Sequence, residues 1–299
     1  NGFYLPFTND YEVEGFNTIT YIGDGGTQYV GGVGFEPDLV WIKRREGSES
    51  HILQDSVRGA ARQLFTNTTE AELSGANNVQ SFETDGFVVG TDSGSNGSGR
   101  SFVAWAWDAG TGSAASNTDG SITSLVKANP DYGFSIVSYT GTGANATVGH
   151  GLSSAPEIAI FKNRDTSSDW RVYYHVDGLG SGVRYVALNS TAASVYDPNI
   201  WQNTTASNTV LKIGSASQVN GSSNDLIAYC FHSVAGYSDF GNYTGNGSST
   251  GPTVTTGFKP AFLILKRTDG VNSWTIQDNT RDPSNPIDLY LLADDSGAE

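Results

Sequence analysis

Apolar and polar residues alternate with period two along most of this chain. Thr18-Ile-Thr-Tyr-Ile22, Asp38-Leu-Val-Trp-Ile42, Gly86-Phe-Val-Val-Gly90 and Ser101-Phe-Val-Ala-Trp-Ala-Trp107 show it first. Phe134-Ser-Ile-Val-Ser-Tyr139, Glu157-Ile-Ala-Ile-Phe161, Trp170-Arg-Val-Tyr-Tyr174, Tyr185-Val-Ala-Leu188, Thr209-Val-Leu-Lys-Ile213 and Leu226-Ile-Ala-Tyr-Cys-Phe231 continue it. Side chains two apart share a sheet face, so these β-branched and aromatic segments, bounded by Gly, Asn and Asp, predict strands. Only Val57–Phe65 and Thr69–Ser74 suggest helix, and both are short. Asn96-Gly97, Asn220-Gly221 and Asn246-Gly247 predict type I′ hairpin turns, which need positive φ at both central residues. Many short strands with frequent turns predict an all-β fold of tandem antiparallel sandwich modules, jelly-roll or lectin-like.

The pattern also repeats at long range. Tyr21-Ile-Gly-Asp-Gly, Tyr139-Thr-Gly-Thr-Gly and Tyr243-Thr-Gly-Asn-Gly are each followed by a proline, Pro37, Pro156 or Pro260. Each proline opens an apolar run that ends at Lys43, Lys162 or Lys266. A ring follows each lysine (His51, Trp170, Trp274), and then Asp55, Tyr174 or Asp278. The spacing makes each unit domain-sized, unlike a solenoid repeat. Two copies share a late strand, Phe102–Trp107 matching Leu226–Phe231, with Asn96-Gly97 and Asn220-Gly221 before it. The third ends at Leu291-Leu-Ala-Asp-Asp-Ser-Gly-Ala-Glu299, which matches Leu64–Glu72, so its closing strand is expected beyond Glu299. The expected organisation is therefore 1–13, the end of a preceding domain; 14–110, repeat 1; 111–130, a polar linker; 131–235, repeat 2; and 236–299, a partial repeat 3. Asn1-Gly-Phe-Tyr-Leu-Pro-Phe7 reads as the end of an earlier strand, making the chain an excerpt of a longer one.

Net charge is −15 with only 16 % charged residues. An acidic surface argues against nucleic acid and anionic membrane as partners. No apolar stretch reaches the ~18 residues of a membrane span. The single cysteine, Cys230, excludes an intrachain disulfide and a multi-cysteine zinc site, and is expected to be a small buried filler.

Candidate chemistry is sparse. The glycine-rich tyrosine motif is not a phosphate loop, because a strand rather than a helix follows it. Asp55 with Arg58 and Asp278 with Arg281 resemble glycosidase carboxylates only in type. They occupy equivalent places in different repeats and read as local ion pairs. No catalytic residue is expected. His51, His150, His175 and His232 show no metal or nucleophile spacing. Asp92–Asn96 and Asn220–Asp225 carry oxygens suited to a structural Ca²⁺ but lack full ligand spacing, so plain turns are preferred and no cofactor is assigned. Trp105 and Trp107 share one face and read as a sandwich wall. His51, Trp170, Trp201 and Trp274, placed near loops, are the candidates for stacking on sugar rings.

Gly34-Phe-Glu-Pro-Asp-Leu-Val-Trp-Ile-Lys-Arg-Arg45, Ser50-His-Ile-Leu-Gln-Asp-Ser-Val-Arg-Gly59 and Phe102–Trp107 resemble a family of otherwise uncharacterised modules. Val148-Gly-His-Gly-Leu152 with Ala155-Pro156, and Tyr243–Gly247 with Gly257-Phe-Lys-Pro260, look like the same family. These modules recur in large structural proteins of tailed bacteriophages, marine and cyanobacterial phages especially. The resemblance implies a non-enzymatic tail or head fibre segment, located in the virion as an extracellular appendage. Its implied partners are further copies of itself, other virion proteins and host-surface polysaccharide. A capsid decoration protein, a polysaccharide-degrading appendage and a cellular surface adhesin are the alternatives.

Overall fold

A computed structural model describes residues 15–174 and 183–299, nearly all β. The segment 1–13, expected to end a preceding domain, lies outside the described residues, as does His175. Repeat 1 contains β1 (Phe16–Ile22), β2 (Gln28–Gly31), β3 (Leu39–Arg44), β4 (Ile52–Asp55), β5 (Arg62–Phe65), β6 (Leu73–Ser74), β7 (Val79–Glu83), β8 (Gly86–Val89), the one-turn helix α1 (Ser93–Asn96) and β9 (Ser101–Trp107). Repeat 2 contains β10 (Ala115–Asn117), β11 (Ser124–Asn129), β12 (Phe134–Thr140), β13 (Ala146–Gly149), β14 (Ile158–Asn163), β15 (Arg171–Tyr174), β16 (Arg184–Ala187), β17 (Val195–Tyr196), α2 (Pro198–Trp201), β18 (Val210–Ile213), α3 (Ser217–Asn220) and β19 (Asp225–Phe231). Repeat 3 contributes β20 (Phe262–Leu265), β21 (Thr275–Asp278) and β22 (Leu291–Leu292).

Each complete repeat is an antiparallel sandwich of a large sheet and a small one. In repeat 1 the order is β1-β9-β3-β4-β5-β6 against β2-β8-β7. In repeat 2 it is β10-β11-β12-β19-β14-β15-β16-β17 against β13-β18. The late strand is central in both: β9 lies between β1 and β3, and β19 between β12 and β14. Repeat 3 forms only β20-β21-β22.

Alternation divides the side chains of each large sheet between two cores. Val40, Ile42, Phe102, Ala104 and Ala106 face the small sheet of repeat 1. Leu39, Trp41, Val103 and Trp105 point the other way. Repeat 2 divides likewise, with Val137, Leu226, Ala228 and Cys230 inside its own sandwich and Ile136, Ile227 and Tyr229 on the opposite face. Those opposite faces, with Trp274, Ile276, Leu291 and Ala293 of repeat 3, form one shared core. Thr66 donates to the carbonyl of Ala293 at 3.3 Å, and Leu188 lies in the same core as Ala293. These three occupy equivalent positions in the three repeats.

Four expectations change. The stretch 111–130 is not a free linker, since β10 and β11 extend the large sheet of repeat 2. Val57–Phe65 and Thr69–Ser74 are turns leading into β5 and β6 rather than helix. Asn96-Gly97 and Asn220-Gly221 end one-turn helices with Gly φ of −57° and −56°, so they are not type I′ turns. Their asparagines are buried clamps: the Asn96 side chain donates to the carbonyls of Gly26 and Gly90, and that of Asn220 to Ala144 and Gly214. Both also hold the glycine turn after the tyrosine. Gly25 and Gly143 donate to the Asn96 and Asn220 carbonyls at 2.9 Å, and their φ of 76° and 72° requires glycine.

Candidate functional site

The residues that the repeats share converge on the joints between them. Each joint begins with a reciprocal pair of main-chain hydrogen bonds. Repeat 2 meets repeat 1 through Ser168 N–H to Thr69 O (2.8 Å) and Glu72 N–H to Arg164 O (2.7 Å). Repeat 3 meets repeat 2 through Asn272 to Thr191 (2.9 Å) and Ser194 to Thr268 (2.8 Å). Repeat 1 meets repeat 3 through Glu49 to Ser296 (3.1 Å) and Glu299 to Arg45 (2.9 Å). The same positions serve in all three, so the ring is closed within one chain.

Side chains reinforce this frame. The Trp170 indole donates to Phe65 O at 2.9 Å, and Trp274 donates to Ala187 O at 2.8 Å. His51 holds the third ring position. Its Nδ1 accepts from Trp41 at 2.9 Å, while its Nε2 is buried with no hydrogen-bond partner among the described residues. Burial first, and the Lys43 charge second, pull the His51 imidazole down to about 3, against a smaller opposing pull from the backbone of Leu292 and Asp295. A neutral imidazole is therefore the form the joint accommodates.

Glu72 and Glu299 are the charged hinges of two joints. Glu72 accepts from Arg58 of its own repeat at 3.0 Å and from Arg164 of repeat 2 at 2.8 Å. Glu299 accepts from Arg281 and from Arg45 of repeat 1, both at 2.7 Å. Burial opposes the Glu72 charge, but Arg164 and Arg58 outweigh it and hold the carboxyl below its usual range. Behind these lie the repeated Asp–Arg pairs. Asp55 and Arg58 approach to 2.5 Å, as do Asp278 and Arg281, all four side chains being fully buried. Burial works against the Arg58 charge and is outweighed by Asp55, Tyr229 and Glu72, so its protonated form is reinforced.

Each pair receives a ring from the next repeat. Tyr229 of repeat 2 donates its hydroxyl to Asp55 at 2.7 Å. Trp105 of repeat 1 donates its indole N–H to Asp278 at 3.0 Å, and the Arg281 guanidinium lies over its ring at 5.5 Å. Each carboxylate thus accepts from the arginine of its own repeat and from a ring of the next, which accounts for the recurrence of Asp and Arg at this spacing.

The four residues expected to stack on sugars are all buried. His51, Trp170 and Trp274 are joint residues, at 0, 0 and 8 % exposure. Trp201 packs in the repeat 2 sandwich against Phe161 and Tyr173 with ring centroids 5.0 and 5.5 Å away. The expectation of open stacking faces is corrected, because position near a loop in sequence does not place a ring at the surface. Trp105 belongs to the shared inter-repeat core rather than to a wall of its own sandwich. Asp92, weighed for Ca²⁺, caps α1 by accepting from Gly94 N–H at 2.8 Å. Asp225 accepts from Thr140 at 3.0 Å. No group of three or more His, Cys, Asp or Glu side chains converges among the described residues. Cys230 is fully buried in the repeat 2 core, and burial pushes its thiol up to about 12.

What sequence reasoning missed is the role of Glu72 and Glu299. The signal was present: they align at the ends of matched segments, each downstream of a matched Asp–Arg pair.

The fold and joints define an all-β, antiparallel sandwich protein of three internally repeated units closed into a ring. Over residues 12–299 the chain belongs to the family described as Domain of unknown function (DUF7483). No curated protein and no solved structure matches it.

Proposed function

We propose that this chain is a non-enzymatic structural and adhesive segment of a tailed-phage virion fibre. The observation that carries this reading is the closed ring, in which the charged residues shared by the repeats are spent on joining one repeat to the next. Such a body holds its shape without a partner chain and directs its polar loops outward from a rigid frame. Loops on a rigid scaffold are where recognition is usually built. The acidic, Gly/Ser/Thr/Asn-rich surface suits a protein that remains dispersed outside cells, and host-surface polysaccharide is the ligand class it would meet. The sequence resemblance to modules of phage structural proteins supplies the virion context.

Image reconstruction of the native particle, with antibody labelling of this chain, tests the proposal. Label on axial or radial fibres is the expected outcome. Density tiling the capsid would replace the reading with a decoration protein, and label on a cell surface would replace it with an adhesin. Release of reducing sugar ends from host polysaccharide by the purified chain would overturn the non-enzymatic part.

A further inference from the structure

We propose that repeat 3 carries a strand-docking groove whose occupant is an antiparallel strand of the β9 and β19 type. The groove shows itself by comparison with the other two repeats, where that strand is in place.

Four features mark the vacancy among the described residues. First, β20 is paired on one edge only, by β21. Its Leu263 is 41 % exposed, whereas the equivalent Val40 and Ala159, on strands paired along that edge by β9 and β19, are fully buried in their own sandwich cores. Second, the counterpart of β1 and β12 is not a strand, since 239–260 runs without regular structure. In repeats 1 and 2 that segment is a strand because it pairs with the late strand. Third, the glycine turn is uncovered. A Cβ at Gly23 or Gly141 would collide with the carbonyl of Gly97 or Gly221, while Gly245 faces open space. The Tyr21 and Tyr139 hydroxyls donate to Ser95 O and Val219 O at 2.5 and 2.6 Å, but Tyr243 is 51 % exposed.

The fourth feature is a buried polar group awaiting a partner. Asp55 receives Tyr229 and Asp278 receives Trp105, so the remaining equivalent position, Tyr174, should receive the same ring from repeat 3. The Tyr174 hydroxyl is buried in the shared core and has no hydrogen-bond partner among the described residues. A buried hydroxyl without a partner is costly, and the late strand is the element that supplies one in both other joints. The occupant is therefore apolar on both faces, carries a hydrogen-bonding side chain at the place of Trp105 and Tyr229, and is preceded by an Asn-Gly clamp.

The test uses a synthetic peptide copying Asp92–Trp107, flanked by lysines for solubility, added to the chain ending at Glu299. Saturable binding is expected, with amide-exchange protection appearing at 239–244 and β20 and a rise in thermal midpoint with peptide concentration. Leu263→Lys, which alters only the cross-strand neighbour on the exposed face, weakens binding several-fold. Tyr174→Phe weakens it about fivefold, as does Phe at the Trp105 position of the peptide, and the two losses are not additive. Two results would overturn the proposal: no protection at saturating peptide, or protection elsewhere or insensitive to Leu263→Lys. A doubling of mass without peptide, abolished by Leu263→Lys, would assign the groove to a second copy instead.

Discussion

At the residue scale His51 is the one ring of the three that can take up a proton. In the fold its imidazole is held down to about 3, whereas in an unfolded chain it titrates near 6.5. Between these values the unfolded chain binds a proton that the folded chain does not, so acid favours unfolding. The stability is complete above about pH 6.5 and falls as pH drops toward 3, by at most about 1.4 kcal/mol per pH unit. Denaturant midpoints at pH 7, 6 and 5 should show this slope, and His51→Gln should flatten it while the carboxylates are still ionised. An unchanged slope in the variant would place the acid sensitivity elsewhere. The ring at 51, 170 and 274 was legible from alignment of the repeats, but its burial was not. Nothing in the local sequence states that Phe65 and Ala187, distant in the chain, lie against Trp170 and Trp274.

The ten alternating strands followed from periodicity, because residues two apart share a face whatever lies beyond it, whereas β5, β6, β10 and β11 did not. Less legible were the short elements. Val57–Phe65 has helix-compatible residues, yet Arg58 is drawn to Asp55, Glu72 and Tyr229, and this fixes a turn before β5. The tryptophans on these elements allow a direct comparison. Trp170→Phe and Trp274→Phe each remove a donor and leave a buried carbonyl unpaired, for an expected loss of about 1–3 kcal/mol beyond the packing change. Trp201→Phe should cost less, since its indole N–H is buried without a partner among the described residues. Equilibrium denaturation of the three variants checks the order. Equal losses would mean that the indole hydrogen bonds contribute nothing to the joints.

For the whole molecule the shared core matters more than the separate sandwiches. Three repeats that bury Trp105, Trp170 and Trp274 together cannot unfold independently without exposing one another's faces. Calorimetry should therefore give a single transition with calorimetric and van't Hoff enthalpies in agreement. Residues 14–110 alone, with Leu39, Trp41 and Trp105 uncovered, should self-associate rather than remain monomeric, as light scattering would reveal. Three resolved transitions, or a stable monomeric fragment, would reduce the ring to a string of independent modules.

The sequence by itself determined the threefold repetition, the positions of the ten alternating strands, the sandwich class and the absence of a late strand from repeat 3 within these residues. It also marked the Asp–Arg pairs as structural. Only the tertiary structure decided what they are structural for. Periodicity says which side chains share a face, but β3, β9 and β19 are apolar on both faces, and no pattern within a strand tells which partner covers each one. That choice is made by long-range packing. Three sheets with unsatisfied apolar faces, carried on one chain, bury the most surface by closing on each other, and so link Glu72 to Arg164, Glu299 to Arg45 and Tyr229 to Asp55.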